Sequence, residues 1–208
     1  SVGHTAAITG ACASFLYVLQ AAVQDIRSGR RRVAIVGSAE AGLTPEIMEG
    51  FTNMGALGTD INLCKLDGTE IPDWRRASRP FGENCGFTIG EGAQYTVLMD
   101  DALAMELGAD IHGAVPDVFI NADGVKKSIS APGAGNYVSF AKAVASAMAI
   151  VGEKTVRKHS FIHAHGSSTP ANRVTESEIF DRVAEAFDIN DWPVAAAKAY
   201  VGHSLAGA

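Results

Sequence analysis

The chain has 208 residues, 47% of them hydrophobic and 19% charged, the proportions of a soluble globular unit or a large piece of one. A net charge of -6 argues against nucleic acid as a main partner, because phosphate binding calls for a basic surface. No apolar run approaches the ~20 residues of a membrane span, no signal peptide is visible in SVGHTAAITG, and three cysteines without a CxxC pair fit a reducing cytoplasm.

The elements alternate. Residues 5–11 read as a buried strand, and 13–28 as a helix with Phe15, Leu19, Val23 and Ile26 on one stripe. The apolar run 32–39 has the look of a parallel strand covered on both faces, and Pro45 sits at the start of a short helix. Residues 55–85, rich in Gly, Pro, Asp and Asn, are expected to be a long irregular excursion. Strands follow at 95–99 and 115–122 with a short helix at 100–108 between them. Then come a helix at 136–151, a strand at 159–164, a helix at 173–187 and a short strand near 193–197 leading to Lys198. This alternation predicts an α/β layered architecture, read as one unit over 1–208. The chain opens beside a strand and stops at a glycine-rich turn, so a fragment of a longer polypeptide is expected, with part of the site outside it.

Chemistry enters at "ITGACASFLYVLQAAV", where a cysteine stands at the joint of strand and helix. A cysteine on a first helical turn feels the positive end of the backbone dipole, which favours thiolate, and a tight turn exposes its sulfur as a nucleophile elbow does. Taken alone, Cys12 is as well explained as a small buried hydrophobe. Two later stretches favour the nucleophile: "HAHGSSTP" ends a strand at His165, and "KAYVGHSLAGA" holds Lys198 and His203 five residues apart. Titratable groups at three such strand ends are where α/β proteins place catalysis.

The order "GACAS … HGSSTP … KAYVGHSLAGA", with "AIVGSAEA", "MGALGT", "ASRPF" and "GFTIGEGA" in sequence, resembles the β-ketoacyl synthases, the condensing enzymes of fatty-acid and polyketide synthesis. The resemblance implies a thiolase-like αβαβα fold, incomplete in this chain, and decarboxylative Claisen condensation. An acyl group held on Cys12 would meet malonyl-acyl carrier protein. It implies that His165 and His203 assist decarboxylation and stabilise the enolate oxygen, and that Lys198 pairs with Glu176 to organise the site electrostatically. Ser167 and Thr169 stand where the family binds the pantetheine arm, which enters with the carrier protein or CoA substrate. No metal or redox cofactor is implied, and a homodimer is. Departures from the family pattern are Cys85-Gly86-Phe87 in place of Asp-Gly-Phe, one residue fewer between Phe81 and Gly86, Gln94 for a glycine, His163 for Asn, and a longer insertion around 60–76. They bear on subclass and substrate; a branch primed by acetyl-CoA is one option.

Other classes compete. His163-x-His165 on one strand face with His203 or Cys12 could bind zinc. Cysteine and histidine together could hydrolyse acyl esters. A degradative thiolase shares the fold but uses a second cysteine, and a chain-length-factor-like partner subunit would lack the nucleophile that Cys12 supplies. The run Arg30-Arg31-Arg32 could dock an acidic carrier protein, or simply place cations near a helix C-terminus.

Overall fold

The computed structural model describes residues 3–127 and 131–207. Helix α1 (Ser14–Arg27) buries Ala22 and Val23 on the expected stripe. It lies against strand β1 (Val33–Glu40), which pairs with β2 (Gly92–Met99) from Val33↔Met99 to Glu40↔Gly92. The pairing is antiparallel, and Ile35, Tyr95 and Val97 are exposed, so the expectation of a parallel strand covered on both faces does not hold for this chain. An apolar run of strand length cannot by itself tell strand direction.

Strands expected at 5–11 and 115–122 are irregular here, apart from a local bridge between Gly10 and Cys12. A strand exists only through a neighbour's hydrogen bonds, and neither segment finds one among the described residues. The excursion 55–85 is more ordered than its composition suggests. It contains α3 (Asp60–Asp67) and a 3-10 turn (Trp74–Arg76), after α2 (Pro45–Asn53). The signals of α3 are capping ones: the Thr59 hydroxyl accepts from Asn62 N–H, and Gly68 closes the helix at φ 66°. Arg79 then ties the excursion back onto α3 through a bidentate pair with Asp67, both side chains being largely buried.

The second half is helical around a small sheet. After α4 (Asp101–Glu106) come α5 (Ala134–Val151), α6 (Glu153–His159) and α7 (Pro170–Ala186). Val144, Val156, Val183 and Ile189 form their common core, with Phe140 and Trp192 stacked at 5.5 Å. Helix α5 is long and apolar enough to cross a membrane by length and composition, but one side of it packs into this core. Strands β3 (Ile162–His163) and β4 (Val194–Ala195) are parallel and only two residues each, shorter than expected at 159–164 and 193–197. Helix α6 occupies the start of the first of those segments. Helix α8 (Lys198–Val201) follows β4, and a 3-10 turn (Leu205–Gly207) returns to β1.

A second core of Leu57, Phe87 and Ile89 packs between α2 and the start of β2, and it bears on the site through two bridges, Leu57↔Phe87 and Ile89↔His203. Leu63 is the most deeply buried leucine of α3, at 2% exposure. Leu63→Ala is expected to destabilise the protein by about 2–5 kcal/mol, read as a lowered denaturation midpoint at unchanged slope. A cost below about 1 kcal/mol would mean that α3 contributes no fixed packing.

Candidate active site

Cys12 sits in a strained turn. Ala11 is left-handed at φ 50°, a conformation that costs a non-glycine residue about 1–3 kcal/mol. Ser14 brackets the turn, its Oγ accepting from Gly10 N–H at 2.8 Å and donating to the Ala11 carbonyl at 2.7 Å. Gly10 is required there, since a Cβ would stand 2.7 Å from the Tyr17 ring. The helix begins at Ser14 with Ala13 as its N-cap, so Cys12 precedes the first turn instead of occupying it. Burial accordingly dominates and raises the Cys12 thiol above its ordinary pKa, opposed by the Lys198 charge and by a backbone hydrogen bond at Cys12 itself. The sequence-based expectation of a dipole-favoured thiolate is therefore corrected: the resting group is a thiol.

His165 and His203 meet Cys12. Their ligating atoms and the Cys12 sulfur lie within 4.8 Å of one another, and the two rings cross edge to face at 5.1 Å. Burial, helped by the Lys198 charge, lowers the pKa of His203 to about 4 and that of His165 to about 3. Both rings are neutral near pH 7.

The two imidazoles are not equivalent. Leu205 N–H donates to His203 Nδ1 at 3.0 Å, so the neutral ring carries its proton on Nε2 and is a donor there. The His203 backbone is fixed by Thr88 O at 2.7 Å and Gly90 N–H at 3.0 Å, and Phe87 packs its ring at 5.2 Å. Gly90 allows this approach, since a Cβ would stand 2.3 Å from Val201 O. This tautomer also weighs against the zinc alternative, because a protonated Nε2 has no lone pair for a metal. His163 is exposed and stands outside the cluster.

Glu176 is buried, and its two oxygens accept the backbone N–H groups of His165 at 2.8 Å and Gly166 at 2.7 Å. The expected Lys198–Glu176 ion pair is not formed; the two groups act on each other only through the field. The carboxylate is already taken by the loop that carries His165. Burial raises the Glu176 pKa, the two backbone donors oppose this, and the Asn172 side chain and Lys198 do so more weakly. Lys198 is buried and depressed for the same reason, opposed first by the Cys12 sulfur when that is ionised and then by Glu176. Its backbone carbonyl accepts from Ser78 Oγ at 2.6 Å.

Ser167 and Thr169 stand together, Oγ to Oγ1 at 3.1 Å, and Thr169 caps α7 through Asn172 N–H at 3.2 Å. Between them Ser168 is fully buried at φ 69°, its hydroxyl accepting from Arg79 N–H at 2.7 Å. A cavity of about 320 Å³ opens beside Thr169, lined also by Asp123, Lys126, Asn136, Asn172 and Thr175. Sequence reading missed Asn172, Ser168, Phe87 and the Ser78–Arg79 segment. Only "ASRPF" and "GFTIGEGA" carried a signal for the last two. The arginine run stands apart: Arg30 pairs with Asp25 at 2.5 Å, and Arg32 with Asp100 at 2.8 Å, as cations at a helix end do.

A thiol and two neutral imidazoles in one desolvated pocket of an α/β fold define a thiol-dependent acyl-transfer site. Residues 2–104 match the family model "Beta-ketoacyl synthase, N-terminal domain" and residues 112–208 the model "Beta-ketoacyl synthase, C-terminal domain". The chain belongs to the β-ketoacyl synthase family. It is 68% identical over its whole length to the β-ketoacyl-[acyl-carrier-protein] synthase FabY of Pseudomonas aeruginosa, of which it covers 33%. It is 31% identical to 3-oxoacyl-[acyl-carrier-protein] synthase 2 of Synechocystis sp., with 95% of this chain and 44% of that one aligned. The crystal structure of the noncanonical ketosynthase FabY from P. aeruginosa superposes with TM-score 0.93 at 69% identity, over 97% of this chain and 32% of that one. A type II polyketide ketosynthase solved in complex with its acyl-carrier protein superposes at TM-score 0.77 and 28% identity, over 96% and 46%. The chain has the thiolase-like layered fold, and spans a third to under a half of the length of these relatives.

Burial depresses both imidazoles, so the unfolded chain takes up protons first as pH falls. Their contribution to stability is complete above pH 6.5 and lost as pH drops toward about 4 for His203 and about 3 for His165. NMR of the ring protons of His165 and His203 is expected to stay flat down to about pH 5, where an ordinary histidine is already charged. A midpoint near 6.5 for either ring would contradict this electrostatic picture.

Proposed function

We propose that this chain carries part of a condensing enzyme. An acyl group moves from a pantetheine or CoA thioester to Cys12 and is then attacked by malonyl-acyl carrier protein losing its carboxylate, giving a 3-oxoacyl thioester for fatty-acid or polyketide synthesis. The convergence of Cys12, His165 and His203 within 4.8 Å carries the reading. His203 Nε2–H donates to the thioester oxygen as it gains charge, for which a neutral, fixed donor is suited. His165, whose ring is not locked by a backbone donor, supplies the second hydrogen bond to the enolate oxygen. Lys198 places a positive charge over the sulfur, favouring the thiolate at the moment of attack.

The paired hydroxyls of Ser167 and Thr169, with the polar cavity beside Thr169, suit the amides of a pantetheine arm. That arm arrives with the substrate, and no metal or redox cofactor takes part. The acyl carrier protein is the proposed donor partner, in keeping with the solved carrier complex of a relative. The site draws Cys12 from one half of the chain and His165, Lys198 and His203 from the other, which supports reading 1–208 as part of a single domain. A homodimer in the cytoplasm is proposed from family resemblance, and three unpaired cysteines agree with that compartment. The second cysteine of a degradative thiolase has no counterpart in this cluster, and the Cys12 that a chain-length factor lacks is in place.

Intact-mass spectrometry of the whole synthase, given acyl-CoA or acyl-carrier donors, is expected to show an acyl adduct that Cys12→Ala abolishes, and a product that depends on malonyl thioester. Release of free acid without condensation would instead make it a hydrolase. His203→Ala should lower condensation by about 10²–10³-fold while the Cys12 adduct still forms. Equal loss of both steps would remove the specific oxyanion role.

A further inference from the structure

The loop after β3 presents three successive backbone N–H groups, those of His165, Gly166 and Ser167, and side chains of α7 take all three. Glu176 takes the first two, and Asn172 Oδ1 takes the third at 2.9 Å. Asn172 and Glu176 stand one turn apart on the same face of α7, and the Asn172 side chain favours the charged form of Glu176 against burial. An asparagine offers both functions here: its oxygen accepts from the loop, and its nitrogen is a donor available on the side of the carboxylate. We infer that Asn172 is a positioning residue, joining the 165–167 loop to Glu176 and thereby setting His165 and the Ser167 hydroxyl for the thioester. This rests on the reading of His165 and Ser167 given above.

The place of Asn172 in α7 does not depend on its side chain, because the Thr169 hydroxyl accepts its backbone N–H. The groups around it are few. Glu176, His165 and Lys198 lie on the side of the catalytic cluster, while Asp123 and Lys126, which bond each other, line the shared cavity. Arg173 turns away to Gly82 O at 2.8 Å. An aspartate at position 172 would keep the acceptor and lose the donor, setting a second carboxylate against Glu176; protonation would restore both halves of the contact.

The test compares Asn172→Ala and Asn172→Asp in the whole synthase, measuring condensation from about pH 5.5 to 8.5, with thermal melts as a check on folding. Asn172→Ala is expected to lose about 10–100-fold in kcat/KM, the value of a hydrogen bond to a charged group, by a factor independent of pH. Asn172→Asp should match Asn172→Ala at the alkaline end and exceed it by about tenfold or more at the acid end, which simple damage to the helix would not produce. If Asn172→Ala does not fold, the acid recovery of Asn172→Asp relative to wild type decides alone. Parallel pH profiles for wild type and Asn172→Asp, or an Asn172→Ala variant as active as wild type, would overturn the assignment. If wild type itself gave no malonyl-dependent product, the proposed function would fail instead.

Discussion

A single buried carboxylate organises the part of this molecule where Cys12, His165 and His203 converge. Glu176 is out of water and has no ammonium or guanidinium bonded to it, an arrangement that is costly unless fixed dipoles replace the lost hydration. The replacement comes from two adjacent backbone N–H groups of the loop leaving β3. The loop can offer them only in one conformation, with Gly166 at φ 54° and its missing Cβ leaving room for Ala196 and Pro80. His165 inherits its position from that conformation. Helix α7, anchored in the Val144–Val183 core, thus ties the His165 ring to that core through one side chain.

Desolvation sets the protonation of the whole cluster. The same exclusion of water that raises the thiol and Glu176 lowers Lys198 and both imidazoles, so that the resting site tends toward few charges. Lys198, itself buried, is the cation of this balance: it drives both histidines down and holds the sulfur and the carboxylate toward their ionised forms. A site in which one cation biases four neighbours needs no direct ion pair to work, and none joins Lys198 to Glu176.

Much of the site was legible from local sequence because each part sits in a short turn of small residues beside a titratable side chain. "GACAS", "HAHGSS" and "YVGHS" show their chemistry in a few letters. Helices α1, α2, α5 and α7 were legible from their apolar stripes or a first-turn proline. What local pattern does not carry is who stands next to whom. The direction of β1, the absence of partners for 5–11 and 115–122, and the shift of Glu176 from Lys198 to the backbone are all decided by distant chain. Helix α3 was hidden by an excursion rich in turn formers, although its cap residues Thr59 and Gly68 were in plain view. The helix start was misjudged by one residue, enough to put Cys12 in a desolvated turn ahead of the helix.

The bridge between Ile89 and His203 has a kinetic implication. It closes a loop of more than a hundred residues, and the ring it carries must still meet a cysteine near the opposite end of the chain. Contacts of such wide separation are entropically the hardest to form during folding. The Cys12 sulfur and the two imidazoles are therefore brought together by the contacts slowest to form, so that alkylation of that thiol at its native rate would report assembly of both halves of the chain.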